Sequence, residues 1–165
     1  MLKKIGRLML ITLVPALELR ASIPVGILHS KMDWSVVFGV CVVTNVVLGI
    51  AVFWAIQHIV PFLTRIRPIG YVYEKYVERT RKRIEKGVEK WGEWAVAVFI
   101  GIPLPGSGVY SGALAAYLIG LKFGKFMVAN VIGVLIAAVI VTALSFAGGE
   151  GWDFARKIFL RMEEF

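Results

Sequence analysis

Residues 34–57 and 126–149 each run for 24 positions without one acidic or basic side chain. A helix of about 20 apolar residues crosses a bilayer core, so these runs predict two transmembrane helices. Each is preceded by a shorter apolar stretch broken by proline, glycine or charge. The first, residues 5–28, holds Pro15, Glu18, Arg20, Pro24 and Gly26. Proline removes a backbone donor and clashes with the preceding turn, which predicts two half-helices meeting near residues 17–21. The second stretch, 94–118, is split by Gly101-Ile102-Pro103-Leu104-Pro105-Gly106-Ser107-Gly108. The pieces on either side, 94–100 and 109–118, are each half a bilayer long. A re-entrant hairpin follows: in, a turn at mid-depth, and out on the same side. Irregular backbone at that depth survives only where protein or trapped water satisfies it.

The two broken-plus-intact units are copies. Phe38-Gly39-Val40-Cys41-Val42-Val43-Thr44-Asn45-Val46 returns 85 residues later as Phe123-Gly124-Lys125-Phe126-Met127-Val128-Ala129-Asn130-Val131, with five of nine positions identical. One hairpin plus one crossing per unit makes an odd number of crossings, so the halves are expected to be inverted, as in many transporters. The fold class is therefore an all-α integral membrane protein with an inverted repeat. Residues 1–165 form one membrane domain, with repeat 1 at about 5–60 and repeat 2 at about 91–147. Between them, 61–90 reads as an amphipathic basic linker helix, and 150–165 reads as an interfacial tail. If residues 5–28 cross fully instead, the clean inversion is lost.

Composition agrees with this layout and narrows the chemistry. The chain is 58% hydrophobic, against roughly 45–50% for soluble domains, and its mean hydropathy is +0.76. Lys3, Lys4 and Arg7 precede the first apolar stretch as in a signal peptide. No small-residue cleavage site follows, and Glu18 and Arg20 interrupt the run, so it reads as retained. The net charge of +8 is concentrated in 61–90, where nine Lys/Arg accompany four Glu. This reads as topology and anionic lipid contact rather than nucleic-acid binding. With Lys122 and Lys125, the linker side carries 11 Lys/Arg against seven on the other side, which puts the linker in the cytoplasm of a multi-pass cell-membrane protein. Cys41 is the single cysteine and His29 and His58 lie far apart, so neither a disulfide nor a metal site is expected. No cofactor is expected either.

Charged side chains inside a membrane segment cost about 2.5–3.5 kcal/mol each on insertion scales, which makes Glu18 and Arg20 the sharpest candidates. One reading is a structural salt bridge between them at the hairpin tip. The functional reading gives Arg20 to an anionic substrate group, which a guanidinium binds bidentately. Glu18 is then a desolvated carboxylate able to carry a proton. Gly106, Ser107 and Gly108 offer close backbone approach to a ligand and the start of a half-helix with free N–H groups, although a tight turn requires glycine anyway. Pro24, Pro103, Pro105, Asn45 and Asn130 are expected to support the hairpins, the two asparagines by hydrogen bonds to the exposed backbone of the tips. Tyr110 and Ser111 are further candidates for lining the cavity. Serine without a nearby base gives no hydrolase, and no enzyme is expected.

The stretches Pro15-Ala16-Leu17-Glu18-Leu19-Arg20-Ala21-Ser22-Ile23-Pro24-Val25-Gly26 and Gly101-Ile102-Pro103-Leu104-Pro105-Gly106-Ser107-Gly108 resemble the family of small multidrug export proteins, over nearly the whole chain. The layout is more distantly similar to the DedA/VTT superfamily, whose members carry two opposed re-entrant hairpins. Some of those proteins move undecaprenyl phosphate, and others scramble phospholipids. The resemblance implies that Glu18 and Arg20 match the acidic and basic functional positions of the first hairpin. The second hairpin departs from DedA, having Gly106-Ser107-Gly108 where an arginine-bearing motif is expected.

Together these readings predict a transporter that moves an anionic or amphipathic small molecule by alternating access, with proton coupling through Glu18. The alternatives are a DedA-like lipid or polyprenyl-phosphate translocase, and a channel or non-transporting scaffold. Membrane lipids and a second copy of the chain are the expected partners. The small-residue face at 112–116 or that at 133–138 is a candidate for the dimer contact.

Overall fold

The computed structural model describes residues 2–15, 17–29, 32–63, 92–104 and 107–147. Among them the chain is helical, without a strand. The helices are α1 (Leu2–Leu13), α2 (Glu18–His29), α3 (Trp34–Leu63), α4 (Gly92–Gly101), α5 (Val109–Leu118) and α6 (Phe123–Phe146). Two of them, over Trp34–Phe62 and Phe123–Phe146, are long and apolar enough to cross a membrane. The expected linker beyond residue 63, the tail, Pro105 and Gly106 lie outside the described residues.

Local chemistry sets the boundaries. Pro15 cannot donate into a continuing α1, and the residue before a proline is pushed out of the helical region. Val14 N–H turns back to Ile11 O, and the Leu17 and Glu18 N–H groups both bond Val14 O. The break therefore falls at residues 14–17, ahead of the expected 17–21. Pro24 lies inside α2 and is buried, so it does not form the tip. It costs α2 one backbone bond, whereas Pro15 stands where α1 has already ended. Asp33 starts α3 as an N-cap, its Oδ1 accepting the Ser35 N–H at 2.9 Å. α3 then runs through Pro61, at a position expected to begin the linker. At the other end of the second hairpin, Gly120 has φ 72. Leu121 N–H bonds Ala116 O at 2.8 Å and Gly120 N–H bonds Tyr117 O at 3.0 Å. This Schellman arrangement stops α5, and glycine is the residue that takes the left-handed position without cost.

α3 and α6 run antiparallel. Phe53 stacks on Phe126, centroids 4.2 Å apart, near one end of the pair. Trp34 meets Phe146 edge-on at 6.1 Å near the other. α2 packs against α6 as well as α3, and α5 against α3 as well as α6. Each hairpin thus leans on the long helix of the opposite half. Glu93 at the start of α4 pairs with Lys125 at the start of α6 at 3.0 Å.

The glycines of the two small-residue stretches, Gly112 and Gly133, pack within the chain. A Cβ on Gly112 would stand 2.7 Å from Ile100 Cδ1, and one on Gly133 would stand 2.7 Å from Ala97 O. Ala113, Ala116, Ala137 and Ala138 are all buried in the same packing. Gly112 and Gly133 thus let α4 pack closely within the chain.

Candidate functional site

The break after α1 and the turn between α4 and α5 meet, and their helix ends cap one another. Four buried or half-buried polar side chains do this work.

Glu18 is 3% exposed. Its Oε2 accepts the N–H of Val109, the first residue of α5, at 3.2 Å. A Cβ on Gly108 would lie 2.5 Å from Glu18 Oε1 and 2.6 Å from Oε2. The missing side chain at 108 is therefore what lets the carboxylate reach the helix end. Free N–H groups and the positive end of the helix dipole both favour an anion there. Glu18 itself has φ 47, a left-handed conformation that costs a non-glycine residue about 1–3 kcal/mol. That cost marks a residue held in place by its surroundings.

Arg20 works at the opposite helix end. Its Nη2 donates to Ile102 O at 3.2 Å, to Ser107 Oγ at 3.1 Å and to Ser107 O. Ile102 directly follows α4 and bonds back to Val98 O, so the guanidinium sits where the α4 carbonyls end. Ser107 Oγ lies 2.5 Å from Ile102 O and 2.9 Å from Leu104 O, and accepts the Leu104 N–H at 3.2 Å. One hydroxyl thus organises the turn that Arg20 reads. Among the described residues, the Nε of Arg20 is buried without a partner. Tyr110, on the first turn of α5, donates to Leu13 O, the last carbonyl of α1, at 2.6 Å.

Three of the four helix ends at this junction are thus capped from the opposite hairpin: α5 by Glu18, α4 by Arg20 and α1 by Tyr110. Glu18 and Arg20 each reach across to the second hairpin, so the salt bridge between them is not what binds the tip. Behind Glu18, Thr12 donates to Ser22 Oγ at 2.7 Å and Ser22 donates to Glu18 O at 3.2 Å, all buried. This chain fastens α1 to α2 just below the left-handed residue. Sequence reading missed both the Thr12–Ser22 link and the capping role of Tyr110. A hydroxyl pair in two short apolar segments was the available signal.

The expected residues divide accordingly. Glu18, Arg20, Ser107 and Gly108 come together, with Pro103 in the turn beside them. Asn45 and Asn130 are elsewhere, on the α3–α6 seam, and their expected bond to the tips is corrected. Asn130 Nδ2 donates to Val46 O of α3 at 3.0 Å, its side chain lying against Gly49. The repeat would pair Asn45 with Val131 in the same way, but the residue equivalent to Gly49 is Val134. Among the described residues, Asn45 Oδ1 and Asn130 Oδ1 are both buried without a hydrogen-bond partner. Among the described residues, no three His, Cys, Asp or Glu side chains gather to hold a metal.

A sequence profile of the family described as "Putative small multi-drug export protein" matches residues 18–140, from Glu18 through both tips and into α6. The chain belongs to this family. Among curated proteins and among solved structures, nothing matches it. The family's description makes it a small export protein of the membrane, in keeping with the two long apolar helices, and not an enzyme family.

Proposed function

We propose that the chain is a carrier in the cell membrane that moves an anionic or amphipathic small molecule by alternating access, with the capped hairpin tips as its gate. The observation that carries this reading is Glu18 bound at the start of α5 while Arg20 binds the end of α4. α1 and α2, with 12 residues each, are about 18 Å long at 1.5 Å per residue. That is roughly half of a 30 Å bilayer core, which supports two hairpins entering from opposite faces with their tips at mid-depth. In that setting, parting the tips exposes helix ends that lipid cannot satisfy. Water and the substrate's charged group must replace the lost caps. An anion can take Glu18's place at α5 and meet Arg20, and a proton on Glu18 eases the exchange. The basic linker reads as cytoplasmic.

Translocation of an anionic lipid is a second reading with its own support. Leu13, Val14, Ile102 and Leu104, beside the tips, are 42–51% exposed, and they suit an acyl chain next to the Arg20 head-group site.

Purified protein in proteoliposomes tests the first reading. A lipophilic anionic dye should enter saturably, and Arg20→Ala should abolish the saturable component. Linear, unsaturated flux that ignores Arg20→Ala would count against a carrier. Rapid scrambling of a fluorescent anionic phospholipid, with no dye uptake, would select the second reading.

A further inference from the structure

The junction of the tips holds two charges of opposite sign, each satisfied by backbone of the other hairpin. The Glu18 carboxylate meets the N–H of Val109, where α5 begins. The Arg20 guanidinium meets the carbonyls that follow α4, Ile102 O and Ser107 O. Negative charge suits a helix N-terminus and positive charge a C-terminus, so each sign sits at the end that favours it. The two side chains do not serve each other. They stand at positions i and i+2 of α2, a spacing at which side chains do not face one another.

Parting the tips therefore opens four needs at once. The start of α5 lacks an acceptor, the carbonyls after α4 lack a donor, Glu18 lacks a donor and Arg20 lacks an acceptor. A ligand with negative charge alone leaves two anions, its own and Glu18, beside one guanidinium. A buried charge deprived of its partner is strongly destabilising. A ligand with positive charge alone fails in the mirror sense, at Arg20 and at α5. Both signs on one head group answer all four needs.

We infer that the junction takes a zwitterion, with a primary ammonium and a carboxylate or phosphate on one small head and an apolar body behind it. This names the substrate class of the carrier site proposed above and rests on that reading. The anionic oxygens meet Val109 N–H and Arg20, whose Nε, among the described residues, is a buried donor without a partner. The ammonium meets the Glu18 carboxylate and the carbonyls after α4. It takes the part given above to a proton on Glu18, leaving the carboxylate charged and paired. A Cβ at Gly108 would stand 2.5 and 2.6 Å from the Glu18 oxygens, so glycine there leaves the start of α5 open to a head group once those oxygens withdraw. The apolar body falls to Leu13, Val14, Ile102 and Leu104, half-exposed beside the tips. Free amino acids with apolar side chains and aminophospholipids both carry this head.

Thermal unfolding of the full chain in detergent, titrated with matched compounds, reads binding without transport, because a ligand of the folded state raises its midpoint. One series is phenylalanine, N-acetylphenylalanine and phenylalanine methyl ester: zwitterion, anion and cation on one body. The other is lysophosphatidylethanolamine and its N-acetyl derivative. The zwitterion should bind about tenfold or more tightly than its singly charged relatives, the worth of one charge-assisted hydrogen bond. A response in the first series assigns a soluble substrate, and one in the second assigns a lipid. Glu18→Gln keeps an acceptor for Val109 but no longer needs an ammonium, so it should bind the N-acetyl compound as well as the zwitterion. Arg20→Gln should show the same tolerance toward the methyl ester. A zwitterion bound no more tightly than its N-acetyl relative in both series would overturn the proposal. So would a preference for the zwitterion that persists in Glu18→Gln. Zwitterion-selective binding without flux of any compound into proteoliposomes sinks the carrier reading and leaves the site standing. Saturable, Arg20-dependent dye uptake without that selectivity has the reverse meaning.

Discussion

Glu18 reaches the N-terminus of α5 because Gly108 has no side chain to stand in the way. The contact joins residues 91 apart in the chain, and it depends on one missing methyl group.

Gly108→Ala should therefore act as a charge mutation without removing a charge. The new Cβ displaces the carboxylate, so a charge-assisted hydrogen bond worth about 1.5–3 kcal/mol is lost. Thermal unfolding in detergent should shift down accordingly, and dye uptake in proteoliposomes should fall by tenfold or more. Wild-type stability in the variant would mean that Glu18 finds an equivalent partner elsewhere.

Arg20→Lys should be a poor substitute. Arg20 reaches Ile102 O and both oxygens of Ser107 from Nη2, at the far end of the guanidinium, whereas a lysine ammonium is a more strongly hydrated point charge on a flexible stem. Uptake should drop severalfold in Arg20→Lys and vanish in Arg20→Ala, with both proteins still folded by circular dichroism. Equal activity for lysine would reduce the role of Arg20 to net charge.

On the seam between the long helices, Gly49→Ala should push Asn130 away from Val46. Interhelical bonds of this kind are worth about 0.6–2 kcal/mol in a bilayer, so Gly49→Ala and Asn130→Ala should destabilise to similar extents, and the double variant should cost little more than either. Full additivity in that double-mutant cycle would separate the two positions.

Asp33 gives an acid limb outside the spanning segments. Its bonds from the Ser35 hydroxyl and N–H hold its carboxyl below its ordinary value. A folded-state value below the unfolded one contributes stability that is fully present above the ordinary carboxylate range. That contribution is lost as pH falls through the folded value. Asp33→Asn should thus flatten the loss of unfolding temperature between about pH 5 and pH 2. Identical acid limbs in the two proteins would discount the cap.

How much of this was legible in the sequence depended on how local each cause is. The half-helices around the second turn, expected at 94–100 and 109–118, are found at Gly92–Gly101 and Val109–Leu118, because glycine and proline act on their own neighbours. The first break was placed too late because Pro15, Glu18, Arg20 and Pro24 all argued for it. Only Pro15 stood where α1 ends, and α2 absorbed Pro24. The candidates Glu18, Arg20, Ser107 and Gly108 could be found from the cost of charge in an apolar run and from the freedom of glycine. Which helix end each one caps could not, since that depends on how two hairpins face each other across some 90 residues of chain. Asn130 and Asn45 looked equivalent for the same reason. Only Asn130 bonds across the seam, to Val46 O, where it lies against Gly49, a position the other repeat fills with Val134.

The mutual capping at the junction also bears on how the protein is made. While the first hairpin leaves the ribosome, the groups that cap α4 and α5 have nothing to bind, and the end of α1 has no Tyr110. Synthesis proceeds at about 5–20 residues per second, so the 91 residues from Glu18 to Val109 take roughly 5–20 s to appear. Throughout that interval a buried carboxylate and a guanidinium need water or an insertion factor beside them. The first half of this chain cannot settle into lipid until the second half has been translated.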